Sequence, residues 1–382
     1  MRMIIFEPQC TGLVHAKVNA AYIFLCANAL PDEELFFFGE TTHIEIIRNE
    51  LSARLLNITY VAIDIPNGGQ SYINRLRLEL KNVYHILKCP NITVSNILLL
   101  SVTSATLLAV KFFDLFFQRK VVIVVHGILD KVNRKPTTFL ERLFWFRYYL
   151  VHCNRKHIKY IFLGQFIENN ILALFPQLEP FSSALDLPYD LTRPVAEDSR
   201  KSSNIKFGSA GVAAISKGSH LFFALAKDIA AMPEASNAKF IYIGQFVDVE
   251  MNRHVNAFVE LPSKDEPLDS VSYQAHFLEV DFLVFFYPKD SYRLTFSGVF
   301  MDAVKFETPI IAIRNDFLNY YFAKYGEMGW LCSDYDEILE LVHKLASGKF
   351  QIDLKRYAES FKNMKADYDG CMHSSKLRKL LQ

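Results

Sequence analysis

The stretch from Phe282 to Asn315, FLVFFYPKDSYRLTFSGVFMDAVKFETPIIAIRN, constrains the fold more than any other part of this 382-residue chain. It opens on an unbroken apolar run, Phe282 to Tyr287, the pattern of a parallel strand buried on both faces. A polar loop follows with Lys289, Asp290, Tyr292 and Arg293. Ser297 and Gly298 then stand just ahead of a helically spaced apolar segment, Val299 to Val304. Pro309 ends that helix and starts a second buried run, Ile310 to Ile313. Two parallel strands joined through a helix place free backbone N–H groups and the positive helix end at the carboxyl edge of a sheet, where an anion is held well. From these residues alone, an ordinary Ser-Gly turn in a ligand-free βαβ unit reads the same way.

The alternation runs through the whole chain. Strands are expected at 3–6, 35–38, 60–63, 91–100, 121–125 and 160–163, with helices at 14–30, 41–56, 72–87, between 100 and 121, and at 165–174. Asn67-Gly68-Gly69 reads as a turn. Four prolines (Pro176, Pro180, Pro188, Pro194) and a polar segment, 197–204, then interrupt the pattern. It restarts with strands at 205–209, 240–243, 259–261, 282–287, 310–313 and 330–332, and helices at 219–232, 270–279, 299–304 and 334–346. Residues 354–381 form a charged amphipathic helix or pair of helices. The expectation is an α/β protein of two Rossmann-like, doubly wound domains, 1–195 and 196–352, with a helical tail, 353–382.

Composition removes several classes. Lys and Arg number 42 against 41 Asp and Glu, which argues against a dedicated nucleic-acid binder, so no nucleic-acid partner is expected. Cys10, Cys26, Cys89, Cys153, Cys332 and Cys371 form no CxxC pair and read as reduced thiols. The opening MRMIIFEP is too short and too soon interrupted for a signal peptide, and a cytoplasmic chain is expected. In that setting the sequons at Asn57 and Asn91 carry no glycan. The most apolar window, 92–117, is broken by Asn96, Ser101, Ser104, Lys111 and Asp114, so it reads as strand plus amphipathic helix. No strand is followed by Gly-x-Gly-x-x-Gly, which argues against a dinucleotide dehydrogenase. No loop carries an Asp-x-Asp metal motif, so no metal and no cofactor are expected.

Between Arg119 and Lys159 ten basic residues face only Asp130 and Glu141, with Phe139, Leu143, Phe144, Trp145, Phe146, Tyr148, Tyr149 and Leu150 interleaved. A basic, aromatic helix over 131–159 suits an anionic membrane surface on the inner face of the membrane. A solvated basic face over a buried aromatic stripe explains the same residues. At the carboxyl ends of the expected strands stand Gly12 and His15 after the first, His126-Gly127 after Val121–Val125, and Gly211 and Lys217-Gly218 after 205–209. Gly244-Gln245 follows 240–243.

These residues together resemble the GT-B glycosyltransferases, and within them the large bacterial group-1 (family 4) set. In that family a stretch reading Glu, seven residues, Glu-Ala binds the donor sugar. Here Leu294 stands at the first Glu and Asp302-Ala303 at the second. The resemblance implies two Rossmann-like domains facing across a cleft, with a nucleoside-diphosphate sugar on the second and a saccharide or lipid-linked acceptor on the first. It implies that Asp302 holds the nucleotide ribose and that Lys217, beside Gly211, holds the diphosphate. Gly244 and Gln245 flank the base, and Tyr292, Arg293, Ser297 and Gly298 complete the donor loop. Val212 replaces the Arg that the family pairs with this Lys, and Arg293 is expected to supply the missing charge. Gly12 and His15 are expected on the acceptor wall, and His126 beside the cleft. The implied function is metal-independent, retaining glycosyl transfer in bacterial surface-polysaccharide synthesis. If the reaction inverts instead, His15 is the expected base. Two further readings stay open: a nucleotide-sugar epimerase of the same fold, and a non-catalytic partner that has kept the fold.

Overall fold

Every residue of Val121–Val125 is buried, so this strand is covered on both faces. Parallel neighbours of such a strand are reached only through crossovers, and the chain supplies a helix for nearly every one. The computed structural model describes residues 2–52, 54, 56–66, 70–88, 94–192, 204–349, 355–368 and 370–381. The expected turn at 67–69, the sequon at 91–93, Cys89, and the expected boundaries at 195/196 and 352/353 lie outside the described residues. The described Cys10, Cys26, Cys153 and Cys332 carry free thiols. The chain divides into two units, Met1–Tyr189 with Leu294–Phe296 and Tyr368–Gln382, and Asp190–Arg293 with Ser297–Asp367.

The first unit holds strands β1 (Arg2–Phe6), β2 (Glu34–Gly39), β3 (Ile58–Ala62), β4 (Val94–Leu99), β5 (Val121–Val125), β6 (Ile158–Leu163) and β7 (Ser182–Leu185). Its helices are α1 (Ala16–Ala29), α2 (Thr41–Glu50), α3 (Tyr72–Lys88), α4 (Ser104–Phe117), α5 (Phe139–Leu143), α6 (Phe146–Val151) and α7 (Gln165–Leu174). The strand order is β3-β2-β1-β4-β5-β6-β7, all parallel. Phe6 lies opposite both Phe38 and Leu99, so the order reverses between β1 and β4, and a crevice opens past their carboxyl ends.

The second unit repeats the plan with β8 (Ile205–Ala210), β9 (Ala238–Ile243), β10 (Val259–Glu260), β11 (Phe282–Phe285), β12 (Ile310–Ile313) and β13 (Gly329–Cys332). Its helices are α8 (Ser219–Ala230), α9 (Ser270–Leu278), α10 (Gly298–Phe306), α11 (Asp316–Tyr325), α12 (Tyr335–Ala346) and α13 (Lys355–Asp367). Strand order is β10-β9-β8-β11-β12-β13, again parallel, with the reversal between β8 and β11. The expected α/β fold of two Rossmann-like domains is what the chain adopts. The tail forms two helices: α13 packs on α10 and α11, while α14 (Gly370–Leu381) packs on α1 and buries Leu377 and Leu381.

Three local expectations are corrected. The last strand of the first sheet is β7, not β6. Its SSAL sequence is short and half polar, and parallel pairing to β6 makes it a strand. The basic aromatic stretch is not one helix. Thr138 closes a capping box with Glu141 to start α5, Phe144 leaves helical geometry, and Trp145 turns back so that its Nε1–H donates to the Arg134 carbonyl at 3.1 Å. Residues 316–325, left unassigned by periodicity, form α11, capped by the Asn315 side chain accepting from the Leu318 amide at 2.9 Å.

The neighbouring strands β8 and β9 are each followed by a glycine for a packing reason. A Cβ on Gly244, just past β9, would lie 1.9 Å from the Gly211 carbonyl oxygen, just past β8. Gly244→Ala is therefore expected to cost about 3 kcal/mol, with backbone displacement as the cause. A urea titration of wild type and variant checks it.

Candidate functional site

At the reversal of the second sheet, β8, β11 and the two helices that follow converge on a small cavity of about 30 Å³. Lys217, Ser219, Tyr242, Tyr287 and Tyr292 line it, with Val212 at its edge. The sequence folds this way because Gly218 takes a left-handed conformation (φ +74°) as the N-cap of α8, where any Cβ would meet the Phe286 carbonyl oxygen at 2.1 Å. Lys217 is thereby fixed immediately before a helix N-terminus, a position the helix dipole disfavours for a cation. The ammonium is half-buried, burial lowers its pKa, and among the described residues no carboxylate forms an ion pair with it. The charge is held where an anion would be welcome and where the protein supplies none.

The tyrosines are neutral donors. Burial pushes the Tyr242 phenol up to about 12, and its hydroxyl lies 3.2 Å from the Ser219 Oγ. Burial likewise raises Tyr287 and Tyr292, whose rings pack at 4.4 Å between centroids; the Tyr287 hydroxyl reaches the Ser297 Oγ at 3.1 Å. Ser297 caps α10 by accepting from the Phe300 amide at 3.2 Å, and a Cβ on Gly298 would meet nothing within 4 Å. The positive end of α10 thus opens onto free space.

Other expected donor residues are placed differently. Gly211 and Gly244 meet each other as described, and the Gln245 carbonyl accepts from the Ala213 amide at 2.9 Å, so these three shape the turns beside the cavity. The exposed guanidinium of Arg293, expected to supply the charge missing at Val212, pairs here with Asp316 at 3.6 Å, a carboxylate that α11 brings alongside. Asp302 is buried, and its Oδ2 accepts from the Tyr273 hydroxyl at 2.8 Å, tying α10 to α9.

In the first unit, the residues past β1 and β5 meet at the carboxyl edge. His126 and His15 pack edge to face with ring centroids 4.8 Å apart. His126 Nε2–H donates to the Leu100 carbonyl at 2.8 Å, which leaves Nδ1 as the free nitrogen. Burial, reinforced by His15, pushes the His126 pKa down to about 4. Burial also lowers His15, whose ring keeps an exposed face. Both rings are neutral near pH 7, and a neutral imidazole nitrogen at a strand's carboxyl edge can take a proton.

Sequence reasoning missed the group that organises this edge. Glu7, directly after β1, is fully buried and accepts from the Gln9 and Cys10 amides at 3.0 Å each, from Asn19 Nδ2 at 2.9 Å and from the Ser101 hydroxyl. Asn19 in turn lies 2.9 Å from His43 Nε2, whose Nδ1 donates to the Gly12 carbonyl at 2.7 Å. Glu40, the N-cap of α2, accepts from the Gly12 amide at 3.3 Å. Gly12 is therefore clamped at both its carbonyl and its amide. The available signal was a carboxylate followed by Pro at the end of a buried strand.

Among the described residues no group of three or more His, Cys, Asp or Glu gathers to hold a metal ion. No family model matches the sequence. No curated protein matches it either. The fold does match solved structures along the entire chain. Sucrose-phosphate synthase from Thermosynechococcus elongatus aligns with TM-score 0.66 at 13% identity, covering 100% of this chain and 98% of that one. WaaG, described as a glycosyltransferase involved in lipopolysaccharide biosynthesis, aligns with TM-score 0.61 at 11% identity, covering 100% of each chain. A putative UDP-N-acetylglucosamine 2-epimerase from Listeria monocytogenes aligns with TM-score 0.58 at 11% identity, covering 98% and 94%. The chain has the GT-B fold.

The lowered His126 pKa has a stability consequence. The unfolded chain takes up this proton near the ordinary value of 6.5, the folded chain only near 4, so folded stability is lost as pH falls through that window. His126→Gln should flatten the decline, read as the denaturation midpoint against pH. Glu7→Leu should cost about 2–4 kcal/mol, by orphaning buried donors, in a chemical denaturation at neutral pH.

Proposed function

We propose that this chain transfers a glycosyl group from a nucleoside-diphosphate sugar, held through its diphosphate beside Lys217 at the second unit's carboxyl edge, to a saccharide or lipid-linked acceptor at the first unit's carboxyl edge. The observation that carries this reading is Lys217 itself, a half-buried ammonium with no carboxylate partner among the described residues, at the N-terminus of α8. Bond cleavage at the anomeric carbon leaves negative charge on the departing diphosphate. Lys217 and the first amides of α8 and α10 are placed to stabilise it, more strongly in this partly dry site than in water. A bound diphosphate would also offset the burial that disfavours the lysine's charged form. Tyr292, half-buried beside the cavity, would meet the nucleoside or sugar, with the buried Tyr242 and Tyr287 behind it. One of the matching structures, a trehalose-6-phosphate protein from E. coli, is described as bound with UDP-2-fluoro glucose, and this supports a nucleotide-sugar donor.

A retaining reaction, which we favour, needs no enzymic base. In an inverting one, neutral His15 or His126 Nδ1 would accept the acceptor hydroxyl's proton. The same two imidazoles favour a second reading, epimerisation of a nucleotide-sugar through an acid/base pair. It would show as interconversion of UDP-N-acetylglucosamine without any acceptor.

We place the acceptor step in surface-polysaccharide assembly beside an anionic membrane. α5 supports this, for Phe139, Leu140 and Leu143 are 78%, 53% and 45% exposed with basic residues around them, whereas Phe146 and Leu150 of α6 turn into the core. Among the described residues no helix is long and apolar enough to cross a membrane.

Two measurements test the proposal. In a thermal-shift screen of UDP, GDP, CMP, ADP and dTDP, one nucleotide at ~100 times its dissociation constant should add ~2.7 kcal/mol of stability, and Lys217→Ala should abolish the effect. Silence from all five would favour a non-catalytic partner. Co-sedimentation with phosphatidylserine vesicles should fall roughly tenfold for the double variant Phe139→Ser, Leu143→Ser.

A further inference from the structure

A cavity of about 460 Å³ within the first unit opens at the same carboxyl edge, with Gln9 from the loop past β1 and Gly127 from the loop past β5 in its lining. Its character is set by charge. Arg75 of α3 and Lys131, Arg134 and Lys135 of the loop leading to α5 all line it, and among the described residues no carboxylate forms an ion pair with any of them. Ser104 and Ala105, the first two residues of α4, lie in the same wall and add the positive end of a fourteen-residue helix.

Two carboxylates share the lining, and both already act as acceptors inside the protein. Glu79 is buried and its Oε2 accepts from the hydroxyls of Thr103 and Thr106, the latter at 3.0 Å. Glu141 Oε2 accepts from the Thr137 amide at 2.6 Å, the Thr137 hydroxyl at 2.7 Å and the Thr138 amide at 3.3 Å. The cations are thus left in excess, in a cavity that also offers Trp145 and Phe144 as aromatic wall.

We propose that this cavity binds a phosphate group carried by the acceptor, so that the accepted molecule is a sugar phosphate or a phosphate-headed lipid, not a neutral saccharide. The assignment of the phosphate bearer as acceptor rests on the glycosyl-transfer reading; the phosphate site itself rests on the four cations and the α4 terminus. Guanidinium groups at Arg75 and Arg134 suit the paired oxygens of a phosphate, and the aromatic wall suits the apolar face of a sugar ring.

The test uses the full chain carrying Lys217→Ala, which silences the other anion site, titrated calorimetrically with inorganic pyrophosphate, glucose 6-phosphate and glucose. Pyrophosphate or glucose 6-phosphate should bind, glucose should not, and adding Arg75→Gln and Arg134→Gln should weaken binding by about tenfold or more. Both arginines are exposed, so the substitutions should leave the melting temperature in place. Flotation with phosphatidylcholine vesicles, plain or containing phosphatidic acid, supplies the lipid arm. Arginine-dependent capture by the phosphatidic acid vesicles alone supports a lipid-borne phosphate, and binding of the soluble phosphates supports a free one. Failure of both arms, or binding that ignores the arginine changes, overturns the proposal. The UDP response of a chain with native Lys217 and only the two arginine changes is read separately. If it persists while the phosphate arms fail, the donor reading stands and this one falls; if UDP is silent while the phosphate arms succeed, the cavity is a phosphate site and the donor reading falls.

Discussion

A strand whose two faces are both buried has no short way to a parallel neighbour, and the architecture of this chain follows from that constraint. β5 and β11 are apolar at every position, and each parallel step must leave the sheet through a helix and return. The helices are therefore joined to the strands by loops at the carboxyl edge. Where strand order reverses, between β1 and β4 and between β8 and β11, those loops diverge and leave a crevice. Both candidate sites occupy such a crevice. No special device is needed to create them; the parallel topology makes the openings, and the loop residues give them chemistry.

The two openings received opposite treatment. In the second unit a cation is held among neutral hydroxyls and helix N-termini, with no carboxylate paired to it among the described residues. In the first, a buried carboxylate, Glu7, is saturated by two amides, an amide side chain and a hydroxyl, so its charge is spent internally on fixing the loop. A carboxylate so fully bonded is a structural anchor. It is the neighbouring His15 and His126, both with pKa lowered by burial, that remain open to chemistry.

Much of this was legible beforehand. The apolar runs gave most of the strands, though not the half-polar β7, since an unbroken run of four to six such residues between turn signals has few other uses. Lys217 and the Ser297-Gly298 turn could be picked out because a cation or small residues at a helix start are locally informative. Arg293 was harder to place: a loop arginine can face many partners, and the one it meets here, Asp316, sits on α11, a helix the sequence reading left unassigned. Asp302 matched a motif position, yet its bond to Tyr273 depends on how α9 packs, which is decided at a distance in the chain.

The sequence by itself determined the α/β class, the parallel twin sheets and the places where loops collect at carboxyl edges, because these depend on the period and run length of apolar residues, which are local quantities. Only the tertiary structure decided which loop residues meet. The pairing of His15 with His126, the clamp of Glu7 and His43 on the loop that carries Gly12, and the gathering of Arg75 with Lys131, Arg134 and Lys135 all join residues distant in the chain. Their energies come from burial and direction, and neither exists until the helices have packed against the sheet.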